Sequence, residues 1–518
     1  MLMWLTGIVV AGAEPSLEDF VALEHSRRKC ATLEQLRLAP RLLRQDEVPV
    51  LPPFSNKAER DMYCGSCNTL SSDNFILRWG SGITQAQAQD VLDSFEYSWN
   101  VEIAQMGYEA PATTDSYLFN IYIGDSGSGT PAGYGAAGYF TGDQQGFPMI
   151  VLAKQTVWDE YYLDGTIAHE FFHALQSRTN RYDYDEYGPG AWYWEATANW
   201  AESVVYPDEV GMAYFLVGYT YFPHYPVNFF DYPNESLLQE YHQYGAFIFP
   251  LHLTEIEASN QIIRSSWQDQ SALTDPMDVL DKYLQADGTT IEEAWLNHIA
   301  RMTVMDYRLG NAYEQYLSYY RGYPESQNRY AATVTQSGSN GWTAGPSATK
   351  PQRFGHNTII ARNLSASSMT FAIRGESTGS KGSTAIYGGT VTKVRGNTVT
   401  YHPLEFSGRN GDVTLSGIQS GDEYYLTVGV WTSAWDPNKI YSETFDYEYR
   451  ISAVDGVASE PSGEPANEPS VPAGEPSNDL VPGLNDDEDV KAGCSMVSDL
   501  ELGWFAGVGI LGLYRRRS

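Results

Sequence analysis

The sequence predicts a mixed α+β domain, with an α/β front and a helical back, followed by an all-β sandwich domain. Strand-like and helix-like segments alternate between residues 74 and 154, as they do in an α/β unit. From about residue 164 to residue 335, most segments have the apolar spacing of helices. Over residues 345–455 apolar and polar residues alternate instead, which is typical of half-buried strands.

Composition and charge exclude one broad class of function. The 518 residues include 65 Asp and Glu but only 32 Lys and Arg, so the formal net charge is −33. Such a surface repels a phosphate backbone, and we therefore expect no nucleic-acid partner. Aromatic residues make up 14% of the chain, too many for a disordered protein. The acidic, tyrosine-rich and cysteine-poor composition suits a secreted protein.

The N-terminal 70 residues predict two processing segments. Residues 1–13 resemble a signal peptide, because Leu2 to Val10 is apolar and small residues follow at 11–13. No Lys or Arg precedes the apolar core, and an apolar N-terminal strand is the alternative. Residues 14–70 predict a propeptide or N-terminal extension, with a basic patch, a leucine-rich helical stretch and a proline-rich run.

Three cysteines, Cys30, Cys64 and Cys67, lie in this N-terminal part. We expect one disulfide among them and one thiol left over, with the pairing open. Cys30 is also a candidate thiolate ligand that would cover a zinc ion, although a structural role for the three cysteines, as one disulfide and one remaining thiol, is favoured. The C-x-x-C spacing of Cys64 and Cys67 has no second pair or thioredoxin-like unit around it, which indicates a structural role.

The motif H-E-x-x-H occurs at His169, Glu170 and His173. Helix positions four apart lie on one face, one turn from each other, so the two imidazoles can bind one zinc ion. Glu170, beside the first ligand, is then placed to take a proton from a metal-bound water. The alternative is a helix whose two histidines merely cap or pack.

A second helix, predicted over residues 191–206, provides the third ligand. Glu195, Asn199 and Glu202 share one face of it, at spacings of four and three residues. Glu195 would complete a His, His, Glu set and leave the fourth zinc position for water. Asn199 would hydrogen-bond a metal ligand from outside that set. Glu202 is the rival third ligand and otherwise lies beside the site.

The sequence HEFFH followed by W-E-A-x-A-x-x-x-E resembles the gluzincin metallopeptidases over roughly residues 147–206. The resemblance implies a zincin-like metallopeptidase domain over residues 71–338, with one Zn²⁺ on His169, His173 and Glu195. Its substrates would be proteins or peptides. The chain lacks the G-A-M-E-N-like motif with which gluzincin aminopeptidases hold a substrate amino terminus. This absence favours an endopeptidase, and nothing in the sequence supports an additional calcium ion.

The resemblance implies two further features of the site. Zinc peptidases often stabilise the tetrahedral oxyanion with a Tyr or His from the later subdomain, which makes Tyr241, His242 and Tyr244 candidates. Aromatic packing around Gly245 is the favoured alternative for each of them. In such enzymes the strand just before the motif helix, here residues 147–152, is an edge strand that pairs with the substrate backbone.

The C-terminal part predicts a β-sandwich over residues 345–455, a Pro/Glu-rich linker over 456–490 and a sorting segment over 491–518. Four Glu-Pro pairs and an acidic run make the linker an extended spacer. The last segment combines Cys494, an apolar run of about 13 residues and three terminal arginines. It resembles the MYXO-CTERM sorting signal. The alternative is a plain tail anchor.

These features together predict a secreted zinc metalloendopeptidase that is sorted to the cell surface or outer membrane. The MYXO-CTERM resemblance implies a sorting machinery that recognises Cys494, removes the tail and attaches the protein. Two alternatives remain open at this point. One is a non-catalytic surface adhesion protein on a peptidase-like fold, and the other is a zinc hydrolase of a non-peptide bond.

Overall fold

A computed structural model of the chain describes residues 28–39, 41–44, 47, 57–127, 129–182, 184, 188–230, 237–257, 259–322, 324–335, 341–376, 384–432 and 443–454. The expected signal peptide, the linker and the C-terminal sorting segment with Cys494 all lie outside these residues and stay predictions. Within the described ranges, no helix has the combination of length and apolarity that crossing a membrane requires.

The front of the molecule is a mixed six-stranded sheet with the strand order β1-β5-β6-β4-β3-β2. Its strands are β1 (Arg28–Cys30), β2 (Asn68–Ser71), β3 (Phe75–Trp79), β4 (Phe119–Gly124), β5 (Ala136–Gly142) and β6 (Pro148–Ala153). The central strands β3, β4 and β6 are parallel, and β5 runs antiparallel to β6. β1 then pairs with the outer side of β5 in parallel.

The prediction that the strand before the motif helix is an edge strand is wrong. The sequence places that edge at residues 147–152, but β6 lies inside the sheet between β5 and β4. Every residue of β6 is buried, which fits an interior strand with apolar side chains on both faces. The antiparallel strand β5 is the one that borders the site, and β1 covers its outer side.

Helices surround the sheet and form the back of the unit. They are α1 (Thr32–Leu38), α2 (Gln85–Trp99), α3 (Lys154–Val157), α4 (Glu160–Thr179), α5 (Ala191–Val205), α6 (Leu216–Tyr221), α7 (Leu237–Gly245), α8 (Ile248–His252), α9 (Gln261–Trp267), α10 (Pro276–Asp287), α11 (Ile291–Met302) and α12 (Gly310–Ser318). Short π-helical and 3₁₀ segments adjoin several of them, at Asn100–Gln105, Gly211–Phe215, Leu253–Glu257 and Pro324–Arg329. Capping boxes begin α2 at Thr84 and α11 at Thr290.

Aromatic packing fixes the two helices of the motif. Phe171 of α4 stacks on Trp99 with ring centroids 5.8 Å apart and meets Phe75 of β3 edge-on at 5.4 Å. On α5, Trp200 is fully buried and donates a hydrogen bond to Thr254 at 3.0 Å. These contacts hold α4 between the sheet and α5, so the polar face of each helix turns toward the other.

The C-terminal part consists of two five-stranded sheets with the orders β13-β14-β10-β16-β8 and β12-β11-β15-β9-β7. The strands are β7 (Ala332–Thr335), β8 (Thr343–Ala344), β9 (Gly355–Arg362), β10 (Ser368–Gly375), β11 (Ala385–Arg395), β12 (Thr398–Pro403), β13 (Glu405–Ser407), β14 (Asn410–Ser416), β15 (Glu423–Thr432) and β16 (Tyr447–Ala453). Apolar side chains of both sheets form one core, with Phe371 of β10 and Leu426 of β15 among them. A tight hairpin turn at Gly396-Asn397 joins β11 and β12.

The helical part and the two sheets pack directly on each other within one compact unit. Trp295 of α11 meets Phe354 edge-on at 5.2 Å and lies over Gly429 of β15. A Cβ atom at Gly429 would approach the Trp295 ring to 2.5 Å, so the glycine makes this close contact possible. The structure thus confirms a mixed α and β architecture that changes from helices to sheets along the chain.

Candidate metal centre

His169 and His173 lie on one face of α4 with their Nε2 atoms facing each other at 3.2 Å. Both side chains are completely buried. The carboxylate of Glu195 on α5 joins them, because its Oε2 lies 3.2 Å from His169 Nε2 and 3.6 Å from His173 Nε2. The spacing of four residues on α4 and the first polar position of α5 therefore converge on one point.

Cys30 of β1 adds a fourth atom to this group. Its Sγ lies 3.5 Å from His173 Nε2. The ligand atoms of Cys30, His169, His173 and Glu195 all lie within 4.8 Å of one another. Tetrahedral zinc with bonds of about 2.0–2.3 Å spaces its ligand atoms about 3.3–3.6 Å apart, close to the distances of 3.2 and 3.6 Å from Glu195 to the two histidines and of 3.5 Å from Cys30 to His173. The four buried side chains could thus hold one metal ion.

Cys30 enters this group because it stays outside the disulfide. The one disulfide expected from the sequence joins Cys64 and Cys67, and Cys30 is the remaining, buried thiol of that set. Burial and then the nearby Glu170 and Glu195 carboxylates raise the pKa of the Cys30 thiol. A bound cation reverses this local preference, because a thiol that coordinates a metal is deprotonated.

Asn199 and Glu202 both approach the far side of the His169 ring. Nδ1 of His169 lies 2.8 Å from Asn199 Oδ1 and 3.2 Å from Glu202 Oε1. The Asn199 amide is itself held by donating to the backbone oxygen of Tyr244 at 3.1 Å. Acceptors at Nδ1 keep the proton there and leave Nε2 available for a metal. Glu202 thus lies beside the ligand set and Glu195 lies within it.

Gln176 performs the matching function for the second histidine. Its Oε1 lies 2.6 Å from His173 Nδ1. Its Nε2 donates to the backbone oxygen of Trp194 and to Thr197 Oγ1, both at 2.9 Å, which orients the amide. Gln176 is absent from the sequence-based candidates. Its position three residues after His173, on the same helix face, is the signal that would have identified it.

Glu170 lies between the ligand group and strand β5. Its Oε2 accepts a hydrogen bond from Thr32 Oγ1 at 3.1 Å and lies 3.6 Å from Cys30 Sγ. A Cβ atom at Gly138 would approach Glu170 Cγ to 2.9 Å, so glycine gives the side chain its space. Burial raises the pKa of the Glu170 carboxyl above its usual value, despite the opposing effect of His169 and His173.

Within the ligand group, His169 favours its protonated form and Glu195 favours its ionised form. Burial disfavours the charged form of His169, but its hydrogen bonds to Glu195 and Glu202 prevail and raise its pKa to about 9. Burial likewise disfavours ionised Glu195, but hydrogen bonds from His169 and His173 hold its pKa well below the usual carboxyl range. The pocket thus favours positive charge between the imidazoles and the carboxylate, where a metal cation would fit.

Of the candidates for stabilising the oxyanion, the structure brings Tyr244 near the ligand group but not His242. The ring of Tyr244 lies 6.3 Å from the ring of His169. His242 instead packs against Tyr219 at 4.8 Å and Phe229 at 5.3 Å, and burial lowers its pKa to about 3. The aromatic packing expected as the alternative therefore describes His242, which the structure does not bring to the ligand group.

Tyr184 is a further residue of the site that the sequence did not indicate. Its hydroxyl donates a hydrogen bond to Glu195 Oε1, and its ring stacks on Trp194 with centroids 4.8 Å apart. It lies in the connection between α4 and α5, where no periodic pattern marks it. The lack of any helical or strand spacing there explains why sequence reasoning missed it.

Comparisons with known proteins identify a family, but that family has no known function. The model of a family described as "Family of unknown function (DUF6055)" matches residues 54–455. No curated protein matches the chain. The chain is similar to the pre-peptidase C-terminal domain of a collagenase from Bacillus anthracis, with 13% identity and a TM-score of 0.15 over 24% of this chain and 96% of that one. It is also similar to the family GH115 4-O-methyl-α-glucuronidase BtGH115A, with 10% identity and a TM-score of 0.14 over 41% of this chain and 30% of that one.

Proposed function

The chain belongs to DUF6055, a family of unknown function, and we propose from the site itself that it is a zinc-dependent metalloendopeptidase. The observation that carries the proposal is the convergence of His169, His173 and Glu195, with Glu170 on the same helix. Two imidazoles and a carboxylate form a ligand set of catalytic zinc sites in peptidases. All three ligands lie inside the range that the family model matches.

The chemistry of the residues follows from their positions. A zinc ion held by this set supplies a Lewis acid for a peptide carbonyl and lowers the pKa of a water that it binds. Glu170, whose raised pKa suits proton transfer, takes the proton of the attacking water and passes it to the leaving amine. Tyr184 and Tyr244 are the phenols near the ligands that would donate a hydrogen bond to the developing oxyanion.

The surrounding parts of the chain would have roles in substrate binding and secretion. Strand β5, antiparallel to β6, would become the edge on which an extended substrate adds once β1 no longer covers it. We further propose that the front sheet and helices are a zincin-like catalytic domain and that the two C-terminal sheets are a β-sandwich beside it. The N-terminal and C-terminal segments would direct the protein through secretion to the cell surface.

The test is hydrolysis of casein and of a peptide library by the purified protein, before and after removal of the N-terminal residues that cover the site. We expect cleavage that stops with a zinc chelator and returns with added zinc. Substituting Glu170→Gln should keep the bound zinc and reduce turnover by at least about a thousandfold, because the proton acceptor is lost.

A matched control is Glu405→Gln, which changes an exposed carboxylate in the C-terminal sheets and should keep full activity. Undiminished proteolysis by the Glu170→Gln variant would remove that residue from the mechanism. Bound zinc without hydrolysis of any peptide would instead support the surface binding protein. Hydrolysis restricted to esters or glycosides would support a zinc hydrolase of a non-peptide bond.

A further inference from the structure

Residues 28–38, here called the covering segment, run along the outer side of β5. Cys30 stands opposite Gly138 in the parallel pairing of β1 with β5. The backbone nitrogen of Ala31 donates to the oxygen of Gly138 at 3.2 Å. The nitrogen of Phe140 donates to Thr32 Oγ1 at 2.8 Å. The segment thus occupies the hydrogen-bonding groups that an added substrate strand would use.

The side chains of the covering segment also occupy the site itself. Cys30 Sγ is the fourth atom of the ligand group, 3.5 Å from His173 Nε2. Thr32 Oγ1 donates to Glu170, the proposed proton acceptor. Lys29 Nζ forms a buried ion pair with Glu202 at 3.0 Å. Lys29, Cys30 and Thr32 thus each contact a different residue of the centre.

We infer that the covering segment is an inhibitory segment that supplies the Cys30 sulfur as the fourth metal ligand and keeps the chain latent until the segment is removed. The latency, though not the ligation, rests on the proposed function. Strand β1 pairs with the outer side of β5, the Cys30 sulfur lies at ligand distance, and the Thr32 hydroxyl bonds to Glu170. Core packing alone would explain neither of the two side-chain contacts.

The covering segment also keeps the centre buried. His169, Glu170 and His173 have no solvent exposure, and Thr32 of the covering segment has none either. A peptide therefore cannot reach Glu170 while the segment is in place. The family match begins at residue 54, so the three ligands on α4 and α5 belong to the matched part and Cys30 precedes it. Removal of the segment would open the edge of β5 and free the fourth metal position.

The ligand assignment is tested without any activity measurement. The full chain carrying Cys494→Ser keeps Cys30 as its one cysteine outside the Cys64–Cys67 disulfide. We expect its cobalt-substituted form to show a sulfur-to-cobalt charge-transfer absorption that disappears when Cys30→Ser is added. Iodoacetamide should alkylate Cys30 faster after a chelator removes the metal. An absorption that persists in the Cys30→Ser protein, or equal alkylation rates, would overturn the assignment.

The latency is tested on the same zinc-loaded full chain with a protease recognition site built into residues 48–53. We expect peptide hydrolysis to rise about tenfold or more when this site is cut and the covering segment is washed away, and to rise in part with Cys30→Ser alone. Added Glu170→Gln should abolish the gain. Equal activity before and after cutting would overturn the inhibitory role and leave the peptidase proposal standing. A sulfur–cobalt signal with no hydrolysis after cutting would support the ligation and refute the peptidase.

Discussion

Glu195 and Glu202 lie two turns apart on α5 and approach opposite nitrogens of the same imidazole ring. Glu195 faces Nε2 of His169, whereas Glu202 faces Nδ1 and pairs with Lys29. At the residue scale, we propose from this difference that Glu195 is a metal ligand and that Glu202 holds a ligand in place.

Zinc affinity should therefore respond differently to the two carboxylates. We expect Glu195→Ala to weaken zinc binding by more than about a hundredfold, and Glu202→Ala by only about tenfold, since it removes a partner of a ligand. Competition against a chromophoric chelator measures both values, with Glu405→Ala as the exposed control. Loss of the metal from the Glu202 variant, with retention by the Glu195 variant, would reverse the assignment.

At the element scale, helix boundaries and the hairpin turn are local and were predictable. Thr290 and Glu293 form the capping box that their spacing predicts at the start of α11. Gly396 has a φ of 56° in the turn between β11 and β12, a conformation that favours glycine. The position of β5 between β1 and β6 was not predictable in this way, because strand order depends on contacts between distant parts of the chain.

The carboxyl group of Asp275, at the N-terminus of helix α10, should make the stability of the protein depend on pH. Asp275 caps its N-terminus by accepting a hydrogen bond from Met277 N at 2.9 Å. Burial, with a smaller effect of Asp278, raises the pKa of Asp275 to about 6 despite that hydrogen bond. A carboxyl whose folded pKa exceeds its unfolded value of about 3.9 destabilises the fold as pH rises through that interval.

Asp275→Asn should therefore stabilise the protein only above the acidic range. Asparagine keeps the cap but carries no proton to lose, so the variant and the native chain should differ least near pH 4. The free energy of unfolding of the variant should exceed that of the native chain by an amount that grows between about pH 4 and pH 6 and then levels off at about 2–3 kcal/mol. The Tm difference between the two proteins should follow the same course. Thermal unfolding followed by circular dichroism at four pH values checks this. An advantage that is largest at pH 4 would contradict the assigned shift.

At the scale of the whole molecule, the site joins pieces that the sequence keeps far apart. His169 and His173 were predictable because a helix brings residues four apart together. Cys30 reaches Glu170 across 140 residues of sequence, through a parallel strand pair that no local pattern announces. The sequence therefore left the pairing among Cys30, Cys64 and Cys67 open, and only the arrangement of β1 on β5 places the Cys30 sulfur beside the histidines.

We propose that these separated residues bind one zinc ion at a single point. Anomalous diffraction on crystals of the zinc-loaded full chain, measured on both sides of the zinc absorption edge, tests it most directly. The account predicts one zinc peak about 2.0–2.3 Å from His169 Nε2, His173 Nε2, a Glu195 oxygen and Cys30 Sγ. A crystal with no zinc peak between these four side chains, or with the zinc bound elsewhere, would contradict it.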